Sequence, residues 1–329
     1  MPRAIVLHRY GPPEALQLEE LPRPQLALDE LRLRVLAAGV NRTDIEIRAG
    51  HWPIRRDDPF PYIPGVEAVG DVIEAGAGVR DFAIGDRAIT MMMGLAGVRA
   101  ERPGGYQDEV VVPAAHCAKI GANVNPRAIA AFGLAGVTAL NGLQIAGAAA
   151  GKAILVTGAS GGVGSCAIRI GKALGARMVA LTRDPAREQS LRGFGADAVV
   201  CAREGQGEIA LPEVDGVVDT VGGAIFGALV EALKPCGRLC LVGGVGGEAI
   251  HLSAWALLRE ITLTGWSSET LDGTALRRDI ATLTRLFREA HLIPPPTTAM
   301  PLSEAAAAHR KLESGAHVGR LLLLPEWPR

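Results

Sequence analysis

The sequence predicts an α/β protein of two units, a β-rich first part and a doubly wound parallel sheet. Three observations predict it. At 329 residues the chain is long enough for about two domains. Before residue 122, glycine and proline punctuate short alternating segments, as in all-β or barrel-like units. From Lys152 onward, apolar runs alternate with helical stretches, the rhythm of a parallel sheet covered on both faces.

In the first part the expected strands are "RAIVLH", "ELRLRVLAAG", "VEAVGDVIEAG", "GDRAIT" and "YQDEVVVP". "NPRAIAAFGLAGVTALNGLQIAG" reads as a helix that is apolar on most sides and therefore buried. Six strands follow, at "AILVTG", "RMVALT", "DAVV", "GVVDTV", "RLCLVGG" and "ITLTGW". Helical stretches lie between them at 163–174, 185–194, 224–233 and 253–258, and the crossover "CAREGQGEIALPE" carries the weakest pattern. In the tail, 274–291 places Ile280, Leu283, Phe287 and Ala290 on one helix face. Ser303 is the expected N-cap of "EAAAAHRKLE", and "GRLLLLP" is a last strand returning to the first unit.

Composition narrows the function classes. The net charge of −1 leaves no basic footprint for nucleic acid and no polybasic segment for a membrane surface. No uninterrupted apolar stretch reaches roughly 18 residues, and "MPRAIVLHRYGPPEAL" reads as a strand rather than a signal peptide. The five cysteines are scattered, with no CxxC pair, which points to a reducing compartment. The expectation is a cytoplasmic protein with neither nucleic acid nor membrane as a partner.

The strongest single signal is "LVTGASGGVGSCAIRIGKALGA". Gly158, Gly161 and Gly164, with Gly162 among them, separate an apolar strand from an apolar-periodic helix. Glycines there let the backbone of residues such as Ser160, Gly161, Gly162 and Val163 approach a pyrophosphate, and the helix N-terminus offers it unpaired N–H groups. The next strand ends in "ALTRDPAREQ". An acidic residue at this place suits the ribose hydroxyl of NAD, and arginine suits a 2′-phosphate. Thr182 and Arg183 hold the place, Arg187 lies one helical turn on, and Asp184 stands one residue late. The reading is NADPH.

"AGVNRTDIEIRAG", "PYIPGVEAVGDVIEAG", "IGDRAI", "GGYQDEVVVP", "LAGVTAL" and "VTGASGGVG" occur in an order that resembles the medium-chain dehydrogenases/reductases, most of all the zinc-independent quinone oxidoreductase branch. The resemblance covers nearly the whole chain. It implies a GroES-like catalytic domain at 1–121 and 268–329 around a Rossmann domain with a six-stranded sheet at 122–267, the active site in the cleft between them. It also implies a homodimer paired through the sheet edge at "ITLTGW". Zinc members of the family carry cysteine and histidine where this chain has Asn41 and Val66, and neither is a zinc ligand. No cysteine lies between Cys117 and Cys166, and 85–116 lacks the cysteines of the structural-zinc lobe. No metal is expected, and Glu67 is left to a polar contact within its own domain.

The resemblance also implies site residues. Asn41 lies near the nicotinamide, either donating to a developing oxyanion or bonded to its own backbone as a turn residue. Glu46 stands where several relatives have tyrosine; it is either a proton donor kept neutral by burial or part of a solvated helix face. Thr138, Val242, Gly243, Gly244, Trp266 and Ser267 are placed around the cofactor. Arg320, at a position that is usually lysine, approaches the cofactor or is a solvated cation at a strand start. His51, Trp52 and Tyr62 in a proline-rich loop, with Met92, are candidates for the substrate pocket. The remaining histidines, His309 among them, read as incidental. The implied activity is hydride transfer from NADPH to a small apolar electrophile, a quinone or an α,β-unsaturated carbonyl. The alternatives are an enoyl-thioester reductase, with Arg55 and Arg56 as its hint of a basic channel, and an NADPH-binding sensor without catalysis.

Overall fold

The computed structural model describes all residues except 53, 55–58, 96–101, 122–123, 203–208 and 328–329. Arg55, Arg56 and the middle of the weak crossover therefore lie outside the described residues. In chain order the elements begin with β1 (Arg3–Leu7), β2 (Leu16–Glu20), β3 (Glu30–Val40), α1 (Arg42–Ala49), β4 (Glu67–Ala75), β5 (Arg87–Met91), β6 (Glu109–Pro113) and β7 (Cys117–Ile120). There follow α2 (Pro126–Ile145), β8 (Ala153–Val156), α3 (Gly162–Ala173), β9 (Arg177–Thr182), α4 (Glu188–Gly193), β10 (Ala198–Cys201), β11 (Val214–Asp219), α5 (Phe226–Glu231) and β12 (Leu233–Leu241). The chain closes with α6 (Ala254–Leu257), β13 (Thr262–Gly265), α7 (Gly273–Glu289), β14 (Thr297–Pro301), α8 (Ala305–Glu313) and β15 (Arg320–Leu324).

The chain divides into two compact units: Met1–Leu134 with Ser268–Thr284 and Pro296–Arg329, and Ala135–Ser267 with Arg285–Pro295. The boundary at 267 is the expected one, but the expected boundary at 121 moves to 134 and the segment 285–295 joins the second unit. The first boundary falls inside α2, at a break where Gly133 has φ +42°. The end of α7 and the loop after it go with the second unit, where the Arg169 side chain of α3 reaches the Ile293 carbonyl at 3.4 Å.

In the first unit, β14, β15, β3, β4, β5 and β7 form one sheet in that order, with β6 also on β3. β15 runs antiparallel to β3, pairing Leu322 with Gly39, so the final strand does return to the first unit. β3 is buried along nearly its whole length because strands flank it on both sides, and Leu31, Leu33, Val72, Val110 and Val112 build the core there. α1 begins at Asn41 in an extended conformation and stops at Gly50, whose φ of +81° favours glycine. Ser303 does not cap α8. Glu304 holds the cap position behind a short 3₁₀ turn, and the Ser303 hydroxyl instead reaches Glu326.

In the second unit the sheet order is β10-β9-β8-β11-β12-β13, every pair parallel. This is the 3-2-1-4-5-6 order of a doubly wound sheet, with its switch point between β8 and β11. β8 is buried at all four residues and β9 at all but the first, the continuous apolar pattern of strands covered on both faces. Among the described residues one helix, α2, is long and apolar enough to cross a membrane by length and composition, although the sequence shows no uninterrupted apolar run. Most of it is buried inside the protein, as in a core helix.

Candidate functional site

In the second unit the residues singled out from sequence collect at the carboxyl ends of the parallel strands. The turn after β8 runs through Gly158, whose φ is +53°, and enters α3 at Gly161. The Gly161 N–H bonds back to the Gly158 carbonyl, and the first intrahelical bond is made by Ser165 N–H to Gly161. The N–H groups of Gly162, Val163 and Gly164 therefore have no carbonyl within the helix and face its open end. A Cβ at Gly164 would collide with the Gly158 carbonyl, so the close folding of turn on helix needs glycine there.

The end of β9 meets this turn. The Arg187 guanidinium donates from Nη1 to Ser160 Oγ at 2.5 Å and from Nε to Asp184 Oδ2 at 3.3 Å. Asp184 is absorbed locally, because its other oxygen accepts the Ala186 N–H at 2.9 Å. Thr182 is buried and Arg183 is exposed beside it. Val242, Gly243 and Gly244 follow β12, with the Val242 N–H on the Asp219 carbonyl at 2.8 Å. Trp266 and Ser267 follow β13, and Thr138 is buried in α2.

Sequence reasoning missed Asp219, the fully buried last residue of β11. Its carboxylate accepts the Thr157 hydroxyl at 2.6 Å and the backbone N–H groups of Val221 and Gly222. Thr157 in turn accepts the Thr220 N–H at 2.8 Å. The pair ties the β8 and β11 loops together at the switch point. An acidic residue inside the apolar run "GVVDTV" was the signal available for it.

In the first unit Asn41, Glu67 and Arg320 come together. All three are buried. The Arg320 guanidinium forks over three acceptors: Nη2 pairs with Glu67 Oε1, Nη1 donates to Asn41 Oδ1 at 2.9 Å, and Nε donates to the Ala131 carbonyl at 3.2 Å. Asn41 Nδ2 donates to Glu67 Oε1 at 2.9 Å. The second Glu67 oxygen accepts the Leu134 N–H at 2.5 Å, just past the break in α2. A Cβ on Gly133 would collide with that carboxylate, and the residue's positive φ also demands glycine.

Three expectations change here. Arg320 is not a solvated cation but an enclosed one, held by its own unit. The Asn41 amide is spent on both ends: Nδ2 donates to Glu67 at 2.9 Å and to the nearby Gly39 carbonyl at 3.4 Å, and Oδ1 accepts from Arg320, so its N–H groups are directed within the unit rather than at an incoming oxyanion. Glu46 does not stay neutral. Partial burial pushes its carboxyl up, but bonds from His51 at 2.9 Å and Arg42 at 2.5 Å outweigh this and hold it below the usual range. Of the pocket candidates, His51 is exposed and occupied by Glu46. Tyr62 is buried, pairing its backbone with Leu7. Met92 is buried with φ +50°, and Trp52 is half-buried. His309, read as incidental, is fully buried and bonded to Tyr106.

Comparison with known proteins agrees with this geometry. Residues 27–122 match the alcohol dehydrogenase GroES-like domain, and 194–323 match the zinc-binding dehydrogenase family. An acryloyl-coenzyme A reductase of Sulfurisphaera tokodaii is 26% identical over 98% of this chain and 100% of its own length. An alcohol dehydrogenase of Geobacillus stearothermophilus is 30% identical over 73% of this chain and 77% of its own. The quinone oxidoreductase of Escherichia coli, solved in complex with NADPH, superposes with a TM-score of 0.84 at 26% identity, covering 98% of this chain and 100% of that one. With its GroES-like first unit and the 3-2-1-4-5-6 parallel sheet of the second, the chain belongs to the medium-chain dehydrogenase/reductase superfamily of oxidoreductases.

Proposed function

We propose that the protein is a zinc-independent, NADPH-dependent reductase of quinones and α,β-unsaturated carbonyls. The observation that carries the reading is Arg187, whose guanidinium bridges from the end of β9 to Ser160 in the glycine turn. It brings a cation and a row of open helix N–H groups to one place, and the Asp184 carboxylate beside it is paired with Arg187 and the Ala186 N–H. In this reading the backbone of Gly161, Gly162 and Val163 holds the pyrophosphate, and Thr182, Arg183 and Arg187 hold the 2′-phosphate. Val242, Gly243, Gly244, Trp266 and Ser267 line the same strand ends, with Thr138 on α2. Bound NADPH would supply the hydride. The NADPH complex of the Escherichia coli relative supports the cofactor.

A catalytic zinc ion does not fit the residues present. It needs three protein donors, and Glu67 is already paired with the Arg320 cation and with two N–H groups. Among the described residues no three His, Cys, Asp or Glu side chains converge. The acceptor class follows from the acid groups. Glu46 is held ionised and Asn41 is committed to Glu67, so neither hands a proton or a hydrogen bond to a substrate oxygen. Acceptors that are already electron-poor need that help least. A second reading, an enoyl thioester as acceptor, is favoured by the full-length match to acryloyl-coenzyme A reductase.

Steady-state assays with NADPH across acceptor classes test this. The expected order is quinones such as phenanthrenequinone, then enals, with negligible turnover of simple ketones and alcohols and no loss of rate in chelator. An enoyl thioester turned over faster than any quinone moves the assignment to the second reading. Fast, chelator-sensitive oxidation of a simple alcohol rejects both. NADPH binding without turnover of any acceptor identifies a sensor.

A homodimer is part of the proposal. β13 ends the second unit's sheet, with Thr262 and Thr264 exposed, and Trp255 and Leu258 stand 78% and 71% exposed nearby. An unpaired strand edge beside apolar side chains is a template for a second copy. Light scattering is expected to give twice the chain mass, and Leu258→Asp with Trp255→Asp to give one chain mass. A monomeric parent removes the dimer.

A further inference from the structure

A line of buried titratable side chains lies behind Asn41, and nothing above uses it. Asp44, the third residue of α1, is fully enclosed. Its Oδ2 accepts the Asn41 backbone N–H at 2.9 Å and the Tyr106 hydroxyl at 3.2 Å, and its Oδ1 accepts the Val66 N–H at 3.0 Å. The Tyr106 hydroxyl is also 3.3 Å from His309 Nε2 on α8. The His309 ring stands edge-on to the Tyr106 ring, and its Nδ1 is buried without a hydrogen-bond partner. One carboxyl thus grips the backbone at Asn41, a member of the Asn41–Glu67–Arg320 cluster, and at Val66, the neighbour of another.

The charges around this line set its behaviour. Glu67 on β4 faces Asp44 with the same sign, and Arg320 on β15 compensates Glu67. Arg48 on α1 lies toward His309 and pairs with Glu313 on α8. Burial first, then the Glu67 charge, lift the Asp44 carboxyl to about 7 against the pull of its three donors. Burial and Arg48 push the His309 ring down to about 3, so it stays neutral. Burial and Asp44 push the Tyr106 hydroxyl well up, so it keeps its hydrogen.

We propose that Asp44 is a positioning residue whose carboxylate form, backed by Tyr106 and His309, locks the backbone at Asn41 and Val66 and so fixes the floor formed by the Asn41–Glu67–Arg320 cluster, where the family resemblance places the nicotinamide. Uptake of one proton from solvent at Oδ2 loosens the lock. The new O–H donates to Tyr106 Oη, the tyrosine hydrogen turns to His309 Nε2, and His309 carries its own hydrogen on Nδ1. The Asn41 N–H is left with a poorer acceptor, and only hydrogen bonds change.

The proposal rests on the reductase reading, so its test has one arm with turnover and one without. In the first, kcat with a quinone is expected to rise through a midpoint near pH 7 in the parent. Asp44→Asn, whose amide stands in for the protonated carboxyl, stays at the low-pH level, roughly five-fold down, as for the loss of one backbone hydrogen bond. It shows no midpoint, and its KM for NADPH is unchanged. Tyr106→Phe removes a donor that favours the carboxylate, so it keeps the parent's high-pH rate and shifts the midpoint upward. Asp44→Asn with the parent's profile, or Tyr106→Phe with an unmoved midpoint, overturns the proposal.

The second arm is thermal unfolding against pH. The folded Asp44 carboxyl sits above its free value of 3.8, so its contribution is full below that and fades as pH rises through about 7. The parent's melting temperature is therefore expected to fall relative to Asp44→Asn between pH 4 and 7. A constant difference across that window overturns the titration of Asp44 even where the parent reduces no acceptor. Should Asp44→Asn not fold, the parent and Tyr106→Phe profiles decide.

Discussion

Arg320→Met is expected to destabilise the protein by about 3–5 kcal/mol, the usual cost of removing one partner of a buried ion pair. The loss is large because Glu67 stays behind. Its carboxylate keeps the Asn41 amide and the Leu134 N–H, but no compensating charge remains in a site closed to water. Asn41 Oδ1 and the Ala131 carbonyl also lose their donor. The double variant Glu67→Gln with Arg320→Met removes both charges and recovers most of the stability, since a neutral pair carries no uncompensated ion. Arg320→Lys falls between the two. It keeps the charge but cannot reach three acceptors from one planar fork. Urea unfolding of the parent and the three variants measures this. A single Arg320→Met variant as stable as the parent contradicts the ion pair, and a double variant no better than the single one places the cost in packing instead.

The second large effect concerns nucleotide choice. Arg183→Ala with Arg187→Ala is expected to weaken NADPH by a hundredfold or more, at about 1.5–3 kcal/mol for each charged hydrogen bond to phosphate. NADH, which lacks the 2′-phosphate, is expected to change far less. The two arginines differ in their surroundings. Arg183 is exposed, so under the proposed reading its replacement removes a phosphate contact and little else. Arg187 also holds Ser160 and Asp184, so its replacement loosens the glycine turn and releases an acidic group beside the ribose. Arg187→Ala alone is therefore expected to narrow the preference from both sides. Titration of both nucleotides into parent and variants checks it. Equal affinity of the parent for NADPH and NADH removes the argument.

The parts of the fold legible in sequence share a property. β9 coincides with the apolar run "RMVALT", and α3 lies within a residue of the stretch expected from periodicity. Both are built from local patterns whose period shows directly which faces are buried. The misses are elements whose pattern is weak. β14, "TTAMP", contains a proline and no fully buried side chain, and is recruited as a strand by pairing with β15. α2 reads as one helix because Gly133 is tolerated in a helical pattern. Its break is imposed by Glu67, which lies 67 residues earlier than Leu134 in the chain and takes that residue's N–H. The site divides in the same way. The glycine turn and the arginines after β9 are local and were named from sequence. Asp219, Asp44, Tyr106 and His309 were not, because their side-chain partners Thr157, Tyr106 and His309 lie 62 or more residues away in the chain.

The sequence by itself determined the strand–helix alternation, the glycine turn at the start of α3, the cations after β9 and the absence of cysteine and histidine at the places where zinc-dependent relatives carry them. Each is a property of residues within a few positions of one another, where backbone geometry, helix dipole and donor chemistry act without regard to the rest of the chain. Only the tertiary structure decided what the isolated polar residues do. Arg320 meets Glu67 across 253 residues and Tyr106 meets His309 across 203. A buried charge or hydroxyl must find a partner, but which partner depends on β15 returning to pair with β3 and on where α8 comes to rest. The demand for a partner is local; the supply is set by the fold.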